Sequence, residues 1–340
     1  MSYSANGLAE LSHNYHSCIR NHVCKGKYVN ATRPVLINSW EAAYFDFNGD
    51  TIVNLAKEAA DLGIDMVVMD DGWFGKRNDD KSSLGDWFVN TEKLPNGITG
   101  LAKKVNEMGL KFGLWFEPEM VSVDSELYRA HPDWCIHVPG RTRTETRNQL
   151  TLDLSRKEVC DYIVEAVSKV LDEAPISYVK WDMNRHSIAL GEKAHAYILG
   201  LYDVLRRIFD PRPEILLESC SSGGNRFDLG MLCFGPQVWC SDNTDPISRL
   251  DIQGGLSYLY PQSTFGAHVS AAPHAQTLRH TPLTTRGNVS FFGVLGYELD
   301  LKHLVKVERQ EIKAQTEFYK KYRKLFQFGQ FRRSENGWQV

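Results

Sequence analysis

The amino-acid sequence predicts an α/β fold, a (β/α)8 or TIM barrel in which eight parallel strands alternate with helices. Apolar runs of strand length recur almost to the end of the chain, and stretches of helical periodicity separate most of them. The runs are continuously apolar, as expected of strands that are covered on both faces. The eight runs are 34–40, 65–71, 111–117, 177–182, 214–219, 237–241, 263–268 and 290–295.

The segments between these runs carry the apolar spacing of amphipathic helices. The predicted helices are 49–62, 100–108, 156–172, 193–209 and 246–259. We expect residues 1–30 to form a helical lead-in and residues 31–308 to form one catalytic barrel. Residues 309–340 are expected to hold a closing helix, 309–325, and the start of a truncated C-terminal β domain.

Composition excludes several classes of protein. The 340 residues are 42% hydrophobic and 24% charged, and the formal net charge of −3 without a basic stripe argues against nucleic acid as a partner. No apolar run has the length of a membrane span, and the first residues lack the pattern of a signal peptide. Seven scattered cysteines form no disulfide framework, which favours a cytoplasmic location.

Polar, aromatic or charged residues follow six of the predicted strands. In barrels of this class the active site lies at the carboxyl ends of the strands. Because an unpaired buried carboxylate is costly, so many acidic residues at strand ends indicate a functional pocket rather than a structural feature alone. The six strand ends are NSWE (38–41), DDGW (70–73), WFEPE (115–119), KWDMNR (180–185), ESCSSGG (218–224) and CSDNTD (240–245).

Two of these carboxylates suit a glycosidase. A retaining glycosidase needs two carboxyl groups about 5 Å apart, one to attack the anomeric carbon and one to protonate the leaving oxygen. Asp182 ends the fourth predicted strand and Asp242 ends the sixth. Lys180 shares a strand face with Asp182, so its charge would keep Asp182 ionised. The alternative is a purely structural ion pair between Lys180 and a carboxylate.

Other residues at the strand ends suit sugar binding. Asp70 and Asp71 could hold vicinal hydroxyls, although a helix cap or a turn is the alternative reading. Trp40 and Trp115 could stack on a sugar because they lie at strand ends, although a tryptophan considered singly is more often a core residue. Arg147 could pair with a carboxylate or bind a hydroxyl.

Two other sequence patterns do not predict a phosphate-binding or metal-binding site. The segment 219–226 lacks the lysine of a phosphate-binding loop, and we interpret Cys220 as a small residue that lines the pocket. The histidines and cysteines between 13 and 24 fit no zinc spacing, so no metal site is predicted there.

Taken in order, these stretches resemble glycoside hydrolase family 36, the α-galactosidases. The resemblance runs from about residue 20 to residue 330. The matching stretches are RPVLINSWEAAYFDFN (33–48), MDDGWFGKRNDD (69–80), LGDW (84–87), KFGLWFEPEMV (111–121), RNQLTLDLS (147–155), YVKWDMNRH (178–186), ESCSSGGNRFDLGML (218–232), CSDNTD (240–245) and GYELDL (296–301).

The resemblance implies a role for each matching residue. Asp182 matches the nucleophile and Asp242 the acid/base, with Asp245 as the second candidate for the acid. No metal or cofactor is implied. The positions that match sugar-binding residues are Asp70, Asp71, Trp115, Arg147, Lys180, Asn184, Cys220 and Gly223.

The resemblance therefore predicts hydrolysis of terminal α-D-galactose from small α-galactosides such as melibiose and raffinose, with retention. The alternatives are an α-N-acetylgalactosaminidase, a transgalactosylase of the raffinose- or stachyose-synthase type, and a truncated barrel that binds galactose without turnover. Family members carry a β-sandwich before the barrel, and we expect a homo-oligomer only where that domain is present. The segment 186–196 is shorter than usual, which predicts a more open pocket rim.

Overall fold

The computed structural model describes residues 2–143, 145–185, 190–335 and 337–340. Eight parallel strands form a closed barrel in which each strand pairs with its neighbours in sequence and the last pairs with the first. We number these barrel strands alone, in chain order. They are β1 (Leu36–Asn38), β2 (Met66–Met69), β3 (Lys111–Phe116), β4 (Ile176–Trp181), β5 (Leu216–Ser219), β6 (Gln237–Trp239), β7 (Phe265–Ser270) and β8 (Val294–Glu298).

Helices surround the barrel. Their apolar faces pack against the outer face of the strands in one large core, which contains Ile52, Leu101 and Leu201. The α-helices are Leu8–Cys18, Trp40–Ala43, Gly49–Asp61, Gly97–Glu107, Glu126–Ala130, Lys157–Glu173, Ala194–Phe209, Leu229–Leu232, Pro246–Leu256, Leu283–Ser290 and Lys306–Phe328.

The predicted barrel is confirmed, and the first seven strands overlap the predicted runs closely. The eighth strand was predicted too early, at 290–295, whereas β8 is Val294–Glu298. The apolar residues before β8 end the helix Leu283–Ser290 and continue into a turn whose Phe291 is buried in the core. The apolar pattern therefore predicted correctly that these residues are buried. It was wrong about the element, because they form a helix end and a turn rather than a strand.

Two short antiparallel pairs lie outside the barrel. Met120–Val121 pairs with Leu150–Thr151 beyond the end of β3, and Arg332–Ser334 pairs with Gly337–Gln339 after the last helix. The two strands of the first pair lie at the ends of a long connection between β3 and the helix Lys157–Glu173. Arg147 is in this connection and lines the cavity at the carboxyl end of the barrel. Of the segment 186–196, for which we predicted a shortened rim, residues 186–189 lie outside the described part of the chain.

Candidate active site

A cavity of about 930 Å³ opens at the carboxyl ends of the barrel strands. Four aromatic side chains form part of its wall: Trp40, Tyr44, Trp115 and Trp239. Arg147 and Lys180 bring positive charge to it. Among the residues that the structure describes, the carboxyl groups that line it are Glu41, Asp70, Asp71, Asp182, Asp242 and Glu298. Acidic groups thus outnumber basic ones, as the strand ends predicted.

Asp182 is held by three donors. The indole Nε1 of Trp115 and the side-chain amide of Asn184 donate to its Oδ2 at 3.1 and 2.8 Å, and the backbone N–H of Met183 donates to Oδ1 at 2.8 Å. Asp182 is 4% exposed. Donors aimed at both oxygens stabilise a carboxylate and fix its direction. This arrangement suits a nucleophile.

Glu117 holds Asn184, one of the three donors to Asp182, in position. Its carboxylate accepts hydrogen bonds from the backbone N–H and the side-chain amide of Asn184, and from Gln149 Nε2 at 3.2 Å. Glu117 is fully buried, and its burial together with the charge of Asp182 raises its pKa. It therefore acts on Asp182 through Asn184 rather than by contact with the cavity.

Lys180 pairs with Asp70 rather than with Asp182. Its ammonium donates to Asp70 Oδ2 at 2.8 Å, and the side-chain amide of Asn38 donates to the same oxygen at 2.7 Å. Burial alone lowers the pKa of Lys180, but Asp70 above all, and then the Cys220 thiol and further carboxylates, hold that pKa well above its ordinary value. Lys180 therefore forms no ion pair with Asp182, and its charge acts on that carboxylate only from a longer distance.

Asp71 is paired with a residue that sequence reasoning missed. The guanidinium of Arg77 donates to both carboxylate oxygens of Asp71, at 3.0 and 2.8 Å, and Arg77 is 1% exposed. Burial raises the pKa of Asp71, and Arg77 opposes that effect. The pair fixes the orientation of Asp71 at the cavity wall. Arg77 lies in the stretch 69–80, but its spacing from Asp71 gave no sign of this contact.

Asp242 faces the same cavity under different constraints. The indole Nε1 of Trp239 donates to its Oδ1 at 3.0 Å. Asp242 is exposed at the cavity wall, where partial desolvation raises its pKa; Lys180 lowers that pKa and Asp182 raises it, with a net increase. A carboxyl group that keeps its proton to higher pH suits a general acid.

Asp245, the second candidate for the acid, has a structural role here. Its carboxylate caps the helix Pro246–Leu256 by accepting from the backbone N–H of Ser248 at 3.0 Å, and it pairs with Arg279 at 2.7 Å. Asp245 is fully buried and is not among the residues that line the cavity. The geometry therefore favours Asp242.

The remaining predicted residues are divided between the cavity and its surroundings. Arg147 and Asn184 line the cavity, and Arg147 lies in an exposed turn with a left-handed backbone conformation. Cys220 and Gly223 lie beside the cavity but are not among its lining residues. A Cβ atom on Gly223 would come within 2.9 Å of the backbone nitrogen of Asp242, so this glycine allows close packing behind Asp242.

Glu298 and His268 were not singled out from the sequence. Glu298 ends β8 and lines the cavity, and His268 Nδ1 lies 2.9 Å from its Oε2. The His268 ring packs against Trp239 with their centroids 4.2 Å apart. The signal was available, since Glu298 ends a strand like the other acidic residues, but the predicted eighth strand stopped before it.

The described residues contain no cluster of three or more His, Cys, Asp or Glu side chains that is placed to hold a metal ion. In the amino-terminal helix, His16 is buried and its Nε2 lies 2.9 Å from the carbonyl oxygen of Ser257. Burial lowers the pKa of His16 to about 4. His16 therefore contacts the packed interior of the protein.

No helix in the described ranges combines the length and the apolar character that crossing a membrane requires.

Comparison with known proteins gives one consistent relationship. The family model described as Melibiase matches residues 1–329. The chain is 58% identical to the α-galactosidase AgaA of Geobacillus stearothermophilus, over 98% of this chain and 47% of that protein. It is also 58% identical to the bifunctional α-galactosidase/sucrose kinase AgaSK of Mediterraneibacter gnavus, over 97% of this chain and 36% of that protein. The chain thus spans half or less of the length of these relatives.

Solved structures agree with the sequence comparison. The crystal structure of AgaA superposes with a TM-score of 0.96 at 57% identity, over 97% of this chain and 48% of that one. The galactosidase domain of AgaSK gives a TM-score of 0.96 at 58% identity, over 98% of this chain and 46% of that one. Variants of AgaA have been solved with raffinose and with stachyose.

Proposed function

The chain belongs to the melibiase family of glycoside hydrolases, family 36, and from this premise we propose that it hydrolyses terminal, non-reducing α-D-galactose from small α-galactosides such as melibiose and raffinose. The observation that carries the proposal is the convergence of Asp182 and Asp242 on one cavity. Relatives that carry the name α-galactosidase, and AgaA structures with raffinose and stachyose, support the choice of substrate class.

The mechanism we propose is double displacement. In the first step Asp182 attacks the anomeric carbon while the bond from that carbon to the leaving oxygen breaks, and Asp242 gives its proton to that oxygen. In the second step the Asp242 carboxylate takes a proton from water as the water oxygen attacks the same carbon, and Asp182 leaves as a carboxylate. The three donors around Asp182 and the raised pKa of Asp242 support this division of roles.

We assign sugar binding to the wall around Asp182. The carboxylates of Asp70 and Asp71 are held rigidly by Lys180 and Arg77, which leaves acceptor capacity for galactose hydroxyls. Trp115, Arg147 and Asn184 complete this wall. For Cys220 and Gly223 the assignment rests on the family resemblance, because neither is a lining residue.

The first experiment follows the stereochemistry of hydrolysis by proton NMR. Retention predicts α-galactose as the first product, and initial β-galactose would rule the mechanism out.

Asp182→Asn should lower kcat by roughly four orders of magnitude or more, since it removes the nucleophile. Near-normal turnover by that variant would refute the assignment.

A second pair of variants separates the two candidate acids. Asp242→Asn should lose melibiose turnover far more than turnover of an aryl α-galactoside, whose leaving group needs little acid assistance. Asp245→Asn is the matched control, because asparagine is also a good helix cap. Equal losses in both variants on melibiose would contradict the choice of Asp242.

We further propose a reducing compartment such as the cytoplasm, and a division into a helical lead-in (1–30), a catalytic barrel (31–308) and a closing segment with β structure (309–340). Each of the seven cysteines lies in the described part of the chain and is a free thiol, and five of them are buried. The antiparallel pair that follows the helix Lys306–Phe328 supports the third segment.

A further inference from the structure

The Glu41 carboxyl group differs from the other five that line the cavity. Each of the others takes part in at least one contact with a protein donor: Asp70 with Lys180, Asp71 with Arg77, Asp182 with Trp115, Asp242 with Trp239, and Glu298 with His268. Glu41 follows β1 on the short helix Trp40–Ala43 and is half-buried. Among the hydrogen bonds of the described residues, none involves its carboxyl group. Its full hydrogen-bonding capacity is thus available to a ligand in the cavity.

The charges around Glu41 disfavour its ionised form. Burial is the largest effect, and the neighbouring carboxylates of Glu298 and Asp242 add to it, so that the pKa of Glu41 is raised to about 8. The cations that oppose this are Lys180 and Arg249. Lys180 is already paired with Asp70, and Glu298 with His268.

The remaining neighbours do not supply a compensating charge. Arg249 donates to the backbone carbonyls of Asn243, Gly266 and Ser241. Its guanidinium is therefore already hydrogen-bonded to the backbone and does not pair with Glu41. Tyr44 faces Glu41 as a neutral phenol whose pKa is raised by burial and by Glu41. Near neutral pH, Glu41 is therefore a carboxylic acid with one O–H to donate.

Glu41 lies in the outer part of the cavity. The carboxyl groups of Asp70, Asp71 and Asp182 are buried, whereas Glu41 is only half-buried. Asp242, which protonates the leaving oxygen in the proposed mechanism, is also in the more exposed part of the wall. Trp40 and Tyr44 flank Glu41 on the same segment, with their rings 5.2 Å apart. Both line the cavity, and Tyr44 is 48% exposed, which places this group at the mouth.

We propose that Glu41, as a neutral carboxylic acid, donates a hydrogen bond to a hydroxyl group of the leaving sugar and so selects α-galactosides whose leaving group is itself a sugar. This inference rests on the proposed function and deepens it. The acid form donates as well as accepts, whereas a carboxylate at this position would only accept and would face two other carboxylates. Ionisation of Glu41 would therefore weaken binding of a sugar leaving group at alkaline pH.

The test compares melibiose with p-nitrophenyl α-galactoside, whose leaving group has no sugar hydroxyl. Glu41→Ala should raise KM for melibiose by about 3- to 10-fold, the loss of one hydrogen bond, and KM for the aryl substrate by less than about 2-fold. Glu41→Gln keeps a donor and should restore most of the melibiose affinity. Glu107→Gln, at an exposed position outside the cavity, is the matched control for the amide substitution.

The pH dependence supplies a readout that a structural role would not change. For the unaltered chain, KM for melibiose should rise about 10-fold from pH 7 to pH 9 as Glu41 ionises, and by less than about 2-fold in Glu41→Gln. Equal KM changes for both substrates in Glu41→Ala would overturn the assignment to the leaving sugar. An unchanged pH dependence in Glu41→Gln would overturn the neutral acid.

A binding measurement separates failure of this inference from failure of the proposed function. If the unaltered chain turns over neither substrate, the proposed function fails, and calorimetric titration of Asp182→Asn with melibiose then tests Glu41 alone. Binding that weakens about 10-fold between pH 7 and pH 9, and does not weaken once Glu41→Gln is added, supports the inference. Binding that is absent at both pH values, or that is independent of Glu41, overturns it.

Discussion

The ammonium of Lys180 lies 2.8 Å from the Oδ2 of Asp70, and both side chains are almost completely buried. Lys180→Met would leave the Asp70 carboxylate with two neutral donors, the side-chain amide of Asn38 and the backbone N–H of Asp71, and with no paired cation. Breaking a buried pair from one side costs about 3–5 kcal/mol because the other charge is left without compensation. We therefore expect a large loss of unfolding free energy in urea, together with a loss of kcat/KM on galactosides.

A double variant tests the reason for this loss. Asp70→Asn combined with Lys180→Met removes both charges and should recover most of the stability but not the activity. Lys157→Met is the matched control, because Lys157 pairs with Asp161 on the surface and should change stability little. If Lys180→Met were as stable as the unaltered chain, the pair would not contribute as described.

The hydrogen bond from Trp115 to Asp182 gives a second prediction. Trp115→Phe keeps an aromatic ring in the core but removes the Nε1–H donor to Asp182 Oδ2. A hydrogen bond to a charged group contributes about 1.5–3 kcal/mol. The bond also fixes the direction of the attacking carboxylate, so kcat should fall by roughly 10- to 150-fold when it is lost.

The neighbouring Trp87 provides the control for that substitution. Its ring lies 6.3 Å from that of Trp115, it is equally buried in aromatic surroundings, and its indole N–H has no partner among the described residues. Trp87→Phe should therefore leave kcat within about 3-fold of the unaltered value, since no hydrogen bond is lost. Steady-state kinetics on an aryl α-galactoside measures both, and equal losses would attribute the effect to packing.

Trp239 provides a prediction about pH. Its Nε1–H donates to Asp242 Oδ1, and such a bond stabilises the ionised carboxylate, so it lowers the pKa of Asp242. Trp239→Phe removes the donor and should raise that pKa further. Because Asp242 must hold its proton to act as an acid, the alkaline limb of kcat for melibiose should move to higher pH.

The pH profile of kcat measures this shift directly. Trp134→Phe, a tryptophan that stacks on His131 away from the cavity, should leave the profile in place. A movement of the limb to lower pH in Trp239→Phe would contradict the role of the indole donor.

Most of the fold could be predicted because its signals are local. Seven apolar runs and the helices between them follow the periodicity of the sequence, and closure of eight parallel strands follows from their number and alternation. The boundary before β8 could not be predicted, because Phe291 is as apolar as a strand residue although it ends a helix. Periodicity reports burial and does not by itself separate the end of a buried helix from a buried strand.

The site was predictable to the extent that strand ends must converge. Asp70, Asp71, Asp182 and Asp242 were found in this way, and all four line the cavity. Pairings between distant residues were not predictable, because they depend on side-chain direction. The partner of Lys180 is one such case, and the contact between His268 and Glu298 across β7 and β8 is another.

The last prediction concerns the packing that holds His268. Gly296 in β8 lies opposite His268 in β7, and a Cβ atom there would come within 2.4 Å of the imidazole Cδ2. Gly296→Ala must therefore displace the ring from Glu298, with a loss of roughly 1–3 kcal/mol in unfolding free energy from overpacking. Gly255→Ala is the matched control, because nothing lies within 4 Å of its Cβ and it is in the helix Pro246–Leu256, where alanine should gain about 0.5–1 kcal/mol. Urea unfolding distinguishes the two, and a Gly296→Ala variant as stable as Gly255→Ala would show that the barrel accommodates the methyl group without moving His268.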